Sequence, residues 1–345
     1  MCGVIRLGLA MVGAVLVLAC VPTASVAQVP DGPRVAFIRG APSILELELG
    51  TIGLHGENPM RLYRPPGEGQ SILSGLTFSA DGSRLAFGRT PLLGGKEGIY
   101  AVSPGEGRPQ FVAGTRGGSD PVLSPDGEML AFARGRLRLS KDQRVRFAGS
   151  SVWLVEADGG RPRRVTPWHS GLRFLPSSFS PDGEVLALSR YLRRKSRAVM
   201  GLRLADHTMY LIAKGLQEAV FSPDGTQLAA MRVRPRPGGP GSQRRLLPGS
   251  DLFVLRSDGT SRRRLTREPS AIKLSPSWDP SGERLLYVRF PSKLSLASLF
   301  GFGTSVIEIN ADGTCRQRLI SEPNASYFAA AWQPGPGREA GRISC

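Results

Sequence analysis

The sequence has few of the residues from which metal and catalytic sites are usually built. Its 345 residues include only three histidines and four cysteines. The histidines, His55, His169 and His207, are far apart and form no HxH or HxxE pattern, and no CxxC pair occurs. A zinc site is therefore not indicated. Neither a phosphate-binding loop nor a dinucleotide fingerprint is present, and we expect no metal and no cofactor.

The N-terminal segment is apolar and differs from the rest of the chain. Arg6 is the only charged residue before Asp31, and an apolar run covers residues 7–21. This run is short for a membrane-spanning helix. The small residues 25–27, Ser-Val-Ala, precede Gln28 and predict a cleaved signal peptide over residues 1–27.

An alternative signal lies inside the same segment. The stretch Val-Leu-Ala-Cys, residues 17–20, resembles the bacterial lipobox, in which the cysteine is lipidated. The signal would then end at Ala19, and Cys20 would carry the lipid. Both interpretations predict an exported protein, which would be periplasmic, extracellular or a membrane-anchored lipoprotein.

Export changes the meaning of the remaining cysteines. Cys2 is lost with either signal, so Cys315 and Cys345 are the only thiols of the mature chain besides a lipidated Cys20. Disulfides persist outside the cytoplasm, and we predict a structural bridge between Cys315 and Cys345. Such a bridge would tie the C-terminal tail across the closure of the domain.

Glycine and proline are abundant, at 43 and 28 residues, and much of this content lies in a repeat. A turn followed by an apolar strand recurs roughly every 50 residues, a spacing that indicates a propeller or solenoid. The copies are VPDGPRVAFIR (29–39), FSADGSRLAFGR (78–89), LSPDGEMLAFAR (123–134), FSPDGEVLALSR (179–190), FSPDGTQLAAMR (221–232) and WDPSGERLLYVR (278–289).

Each copy is followed about 30 residues later by a second hairpin with an Asp-Gly turn, as in VWLVEADGGRPRRVT (152–166) and LFVLRSDGTSRRRLT (252–266). One unit therefore has four short antiparallel strands, which is one propeller blade. Arginines in the fourth strands fit an outer edge, where charge discourages edge-to-edge pairing.

The count of units predicts the architecture. Five complete units are present, and the chain opens in a second strand (34–39) and ends after a first strand (328–332). We predict an all-β, six-bladed β-propeller of four-stranded antiparallel blades, a single domain over residues 28–345. The C-terminal strand would join the N-terminal blade and close the ring.

The repeated motifs resemble those of the TolB-type, WD-repeat-like propeller family. The likeness is carried by SWDPSGERLLYVR, LSPDGEMLAFAR and EADGGRPRRVT, and it recurs over about 300 residues. It implies the fold strongly and function weakly, since such propellers serve as binding platforms, lids and enzymes. TolB has an α/β domain before its propeller, whereas here the first blade follows the signal directly. No G-x-S-x-G elbow occurs, which argues against a propeller peptidase.

The formal net charge is +17. Three basic insertions, predicted as loops over residues 134–147, 191–197 and 232–245, should fall on the face that carries the connections between second and third strands. Such a patch would attract anionic partners, although a solvated loop surface is the alternative. Trp168 and His169 should share this face. The candidate binding residues are Arg136, Arg138, Arg193, Arg194, Lys195, Arg234, Arg236, Trp168 and His169.

Two main functions compete, and a sensor or chaperone accessory that works with a partner protein is a third possibility. The first is a non-enzymatic binding or scaffold propeller of the bacterial cell envelope, which we expect to be monomeric and to bind an envelope protein or an anionic cell-wall or lipid surface. Nucleic acid is not expected outside the cytoplasm. The second is an enzyme that acts on an anionic glycan at the channel mouth. An apolar stretch, SLASLFGFGTS (295–305), lies on the same face and has no assigned role.

Overall fold

The computed structural model describes most of the chain after residue 31. The described residues are 32–40, 47–54, 56–65, 71–92, 95–104, 108–139, 145–192, 196–234, 249–291, 303–322, 325–335 and 341–345. For residues 136–139 and 145–147 only the backbone is described. Within them the secondary structure consists of β-strands. No helix among these residues is long and apolar enough to cross a membrane.

The strands form antiparallel sheets in a propeller-like arrangement. Sheet I contains β1 (Arg34–Gly40), β2 (Leu47–Gly53), β3 (Met60–Tyr63) and β24 (Ser326–Gln333), in the order β24-β1-β2-β3. Sheet II contains β4 (Ser71–Phe78), β5 (Leu85–Pro91), β6 (Gly98–Val102) and β7 (Gln110–Phe111).

Sheet III has eight strands. They are β8 (Gly118–Leu123), β9 (Met129–Leu139), β10 (Val145–Glu156), β11 (Arg163–Arg164), β12 (Leu172–Phe179), β13 (Val185–Leu192), β14 (Ser196–Arg203) and β15 (Met209–Lys214). Its two halves, β8–β11 and β12–β15, are linked by one parallel bridge between Ser150 and Arg173.

Two further sheets have four strands each. Sheet IV contains β16 (Gln217–Phe221), β17 (Gln227–Val233), β18 (Ser250–Arg256) and β19 (Arg263–Arg264). Sheet V contains β20 (Ala271–Trp278), β21 (Arg284–Pro291), β22 (Ser305–Asn310) and β23 (Gln317–Ile320). The described residues thus form four four-stranded sheets and one eight-stranded sheet, where the sequence predicts six separate blades.

The two ends of the chain meet in sheet I. Strand β24 pairs antiparallel with β1, with Val35 opposite Trp332 and Arg34 opposite Gln333. The Arg34 side chain is buried, and its Nη2 donates to Thr51 Oγ1 at 3.1 Å. Residues almost 300 positions apart in the sequence therefore share one sheet.

One basic insertion is more ordered than expected. The stretch 134–147, which the sequence analysis treats as a loop, largely prolongs the β9–β10 hairpin, with Arg138 opposite Arg146 in its register. Residues 140–144 lie outside the described residues. The insertion is therefore mostly a ladder-bonded β-ribbon.

The Ser-Pro-Asp-Gly turns are held by the hydrogen bonds that their residue types predict. Ser222 Oγ donates to Asp224 Oδ1 at 2.5 Å, and Gln227 N donates back to Ser222 Oγ at 3.0 Å. The bond from Ser222 lowers the pKa of Asp224. Gly225 takes a φ of 71°, which other residues adopt with difficulty. The same Ser–Asp bond occurs in the turns at Ser79, Ser124 and Ser180.

Apolar side chains fill the spaces between neighbouring sheets. Leu49 of sheet I packs in one cluster with Phe87 of sheet II, and Val35 of sheet I shares another with Leu286 of sheet V. Ala229 and Trp278 belong to a cluster between sheets IV and V. Successive side chains of a strand therefore point toward the sheets on its two opposite sides, as the two-residue period of a β-strand predicts.

Cys315 and Cys345 are joined by a disulfide with Cα atoms 5.1 Å apart. Cys315 lies in the β22–β23 turn of sheet V, and the tail beside Cys345 is bonded to the same sheet, where Ile343 N donates to Asn310 Oδ1 at 2.8 Å. The described end of the tail, residues 341–345, therefore lies on sheet V. The bridge holds the residues that follow β24 onto the neighbouring sheet.

Candidate functional site

A cavity of about 950 Å³ runs along the innermost strands of all the sheets. The strands that line it are β4, β8, β12, β16, β20 and β24. Its rim is made by the turns that follow these strands, at equivalent positions of the repeat. The rim residues are Ala80, Pro125, Pro181, Pro223, Pro280 and Pro334.

Hydroxyl groups on the cavity wall connect neighbouring strands. Thr77 Oγ1 accepts a bond from Leu123 N at 3.3 Å, and Ser277 Oγ accepts one from Trp332 N at 3.2 Å. Ser178 Oγ accepts from Phe221 N at 3.0 Å and donates to the carbonyl of Ala219 at 3.1 Å. The wall is thereby fixed, and a ligand would meet a preformed surface.

The innermost strands carry bulges that push selected residues toward the cavity. Non-glycine residues with left-handed backbone occupy three of them: Asp120, Glu218 and Ser275 have φ values of 51°, 51° and 52°. Gly75 takes the equivalent place in β4 with φ 59°. A left-handed non-glycine residue costs on the order of 1 kcal/mol and is concentrated at functional sites.

Glu218 is the most perturbed acid of the cavity. Its backbone N donates to Ser189 Oγ at 2.7 Å, and its Oε1 accepts from Gln217 Nε2 at 3.1 Å. Burial raises the pKa of Glu218 to about 7, and the charge of Asp120 acts in the same direction. Hydrogen bonds from Gln217 and from the Ser275 N–H, and the charge of Arg197, oppose this rise. The side chain is half-buried on the cavity wall and can gain or lose a proton near neutral pH.

Most of the predicted basic residues cannot be compared with this cavity, because the structure does not describe them. The side chains of Arg136 and Arg138, and all of Arg193, Arg194, Lys195 and Arg236, lie outside the described part of the structure. The apolar stretch 295–305 is described only from residue 303 onward.

Arg234, the remaining candidate cation, is paired. Its guanidinium makes two bonds of 2.7 Å to the carboxylate of Asp251, which also contacts Arg264 at 2.9 Å. The bond to Asp251 raises the pKa of Arg234. Its charge is therefore compensated within the protein by the Asp251 carboxylate.

Trp168 and His169 lie in the link between β11 and β12. Trp168 is half-buried and His169 is exposed, and neither contributes to the cavity wall. His207 lies in the β14–β15 turn, where its Nε2 is 2.8 Å from Arg163 Nη1. Among the described residues there is no group of three or more metal-ligating side chains.

The sequence analysis did not single out Asp120 or Glu218. A signal was present: SDPVLSPDG (119–127) and QEAVFSPDG (217–225) each place a carboxylate inside an innermost strand at the same distance from the turn. Acidic residues are rarely buried, so a carboxylate is unexpected inside an innermost strand whose two faces both pack against neighbouring sheets.

Comparison with known proteins bears on the fold. No family model and no curated protein sequence matches the chain. Among solved structures, TolB from Acinetobacter baumannii superposes with a TM-score of 0.65 at 18% identity, covering 88% of this chain and 67% of that one.

The fold is that of a TolB-like β-propeller.

Two further structures are similar to this propeller. A TolB-type protein from Agrobacterium tumefaciens gives a TM-score of 0.58 at 17% identity, and a chain of the nidogen–laminin complex gives 0.59 at 12% identity. In both cases the match covers 88% of this chain and 99% of the other. At these identities the likeness concerns the fold and leaves function to be argued from the site.

Proposed function

We propose that this chain is a non-enzymatic binding propeller of the bacterial cell envelope, which holds a partner at the central cavity. The observation that carries the proposal is the cavity itself. At about 950 Å³ it has the size of a ligand pocket, and its wall is fixed by hydrogen bonds between neighbouring strands.

The proposal includes a closed ring of six four-stranded blades. The pairing of β24 with β1 supports closure, and the division of sheet III at the single Ser150–Arg173 bridge supports counting it as two blades. Apolar clusters between sheets V and I and between sheets I and II support the same ring. The mature domain, residues 28–345, would be a monomer, exported either freely or with a lipid on Cys20.

The charge of the cavity bears on the alternative function. The described lining contains carboxylates and neither lysine nor arginine. An anionic glycan would thus meet like charge at the cavity. We therefore favour binding of a protein segment at the cavity. Any contact with an anionic surface would involve the basic residues 193–195, which lie outside the described part of the chain.

The test is capture of partners from solubilised envelope by the mature protein, compared with three variants. Pro223→Glu places a charge at the cavity rim. Leu211→Glu makes the same change at an exposed position of the outer strand β15 and is the control. The third variant combines Arg193→Glu, Arg194→Glu and Lys195→Glu.

We expect a protein that wild type and Leu211→Glu capture and that Pro223→Glu does not. Loss of that protein only in the triple variant would move the binding site to the basic face and refute the role of the cavity. Equal capture by all four proteins, or none by any, would refute the proposed function.

A further inference from the structure

Each copy of the repeat ends with an arginine in its second strand, and two of these arginines show what the position can bind. Arg39 Nη1 donates to both carboxylate oxygens of Glu322 at 2.7 Å. Arg289 Nε donates to the two carboxylate oxygens of Glu268 at 2.9 and 3.1 Å. Each acid lies in the link that enters the arginine's own sheet from the preceding one. The six arginines are Arg39, Arg89, Arg134, Arg190, Arg232 and Arg289.

Two of the links have the same local structure, residues 166–169 before β12 and residues 266–269 before β20. In each, the threonine Oγ1 accepts a hydrogen bond from a backbone N–H of the preceding third strand, at 2.8 Å from β10 and at 3.0 Å from β18. In each, the carbonyl of the last residue lies so close to a glycine, Gly149 or Gly249, that a Cβ atom has no room there. The residues between these two anchors therefore occupy equivalent positions.

Arg190 has no carboxylate at the place where Arg289 has one. Trp168 holds the position of Glu268. Ala198 faces Arg190 across the β13–β14 pair and belongs to the apolar cluster between the two halves of sheet III. The Arg190 side chain is half-buried, its Nε has no acceptor, and its guanidinium makes no hydrogen bond or ion pair within the described part of the chain. Partly buried charges are normally paired, so this cation lacks a counter-charge that the fold supplies elsewhere.

Other arginines of the set differ from Arg190. Arg134 Nη2 donates to the Gly114 carbonyl at 2.7 Å, and Arg89 Nε donates to Ser71 Oγ at 3.2 Å. Arg232 is exposed to solvent. Partial burial and the lack of a partner are therefore combined at Arg190, in the groove between the β8–β11 and β12–β15 halves of sheet III.

We propose that this groove binds a glutamate side chain of a partner protein, whose carboxylate accepts hydrogen bonds from the Arg190 guanidinium as Glu268 and Glu322 do from their arginines. Both internal examples are glutamates followed by proline, so a Glu-Pro segment is the model for the ligand. Charge-assisted arginine–carboxylate bonds are stronger than neutral ones and are specific in geometry. Arg190 does not line the cavity, and this second contact site is therefore independent of what the cavity holds.

The test uses two peptides that differ only in one carboxylate. They are acetyl-Ala-Glu-Pro-Ala-amide and its glutamine analogue, titrated calorimetrically into the mature protein. The protein variants are Arg190→Gln, Trp168→Glu and Trp168→Gln. Arg161→Gln removes an exposed arginine between β10 and β11 and is the control. Circular dichroism checks that each variant keeps the wild-type fold.

We expect wild type and Arg161→Gln to bind the glutamate peptide about tenfold more tightly than the glutamine peptide. Arg190→Gln should bind both peptides equally. Trp168→Glu places an internal carboxylate at the position equivalent to Glu268, and it should abolish the preference because Arg190 is then paired. Trp168→Gln has nearly the same shape without the charge and should retain a preference.

Equal affinity of wild type for the two peptides, or no binding of either, would overturn the inference. A preference that persists in Arg190→Gln would overturn it as well, since another cation would then be responsible. The same result would follow if Trp168→Glu and Trp168→Gln discriminated the peptides equally. These outcomes leave the role of the cavity untouched, because that role is tested by capture with Pro223→Glu.

Discussion

Replacement of Glu218 by glutamine should stabilise the protein, but only at pH values at which the Glu218 carboxyl of the wild type is ionised. The fold raises the pKa of this carboxyl from 4.5 to about 7, chiefly through burial. Each tenfold change in the ionisation constant is worth about 1.4 kcal/mol, so ionised Glu218 costs the folded state at most about 3.5 kcal/mol. The side chain is half-buried beside the cavity, and solvent screening reduces the expected gain to about 1–2 kcal/mol.

The sign of the pH dependence follows from linkage. A carboxyl with a raised pKa binds more protons in the folded protein than in the unfolded chain, so stability falls as the pH rises from 4.5 to about 7. Glutamine does not titrate, and its Oε1 can still accept from Gln217 Nε2. The variant should therefore equal wild type near pH 4 and exceed it at pH 8.

The assay is urea unfolding of both proteins at pH 4.5, 6 and 8, followed by tryptophan fluorescence. Glu184→Gln makes the same chemical change at an exposed turn and should show little difference at any pH. A Glu218→Gln effect of the same size at pH 4.5 and pH 8 would refute the reasoning, because a packing change has no such pH dependence. A destabilised variant at pH 8 would refute it as well.

Three other substitutions test the remaining structure. Loss of the disulfide in Cys315→Ser with Cys345→Ser should cost about 2–4 kcal/mol of unfolding free energy in urea, and an unchanged midpoint would show that the tail is not stabilising. Trp278→Phe should cost about 1 kcal/mol more than Trp332→Phe in the same assay, because only Trp278 loses an indole hydrogen bond. Lys273 is buried, and burial lowers its pKa to about 8, so wild-type stability should rise between pH 8 and 10.5. Lys273→Met should abolish that rise, and a rise that persists in the variant would assign it to another group.

Local chemistry made the hairpins predictable. The Ser-Pro-Asp-Gly turns have the serine–aspartate bonds and the left-handed glycine that these residue types favour, and the arginine pairs 163–164 and 263–264 form short outer strands. The interval between copies indicated a propeller or solenoid. The repeated motifs, by their resemblance, pointed to a TolB-type propeller.

Longer-range features were harder to predict. Nothing in the stretch 134–147 alone distinguishes a loop from a prolonged hairpin, because the ladder between Arg138 and Arg146 depends on the partner strand. Arg234 was a candidate binding residue, and the structure shows in addition that it pairs with Asp251, which is 17 residues away and faces it across the β17–β18 hairpin.

The repeating unit, its turns and the alternation of buried side chains follow from the amino-acid sequence, because they depend on residues within a few positions of one another. Which residues meet at the centre depends on how the sheets are arranged in space. Asp120 and Glu218 lie 98 residues apart, and their charges interact only because equivalent bulges of different blades face one cavity. The near-neutral pKa of Glu218 is a property of that enclosure, since burial and a distant carboxylate together produce it.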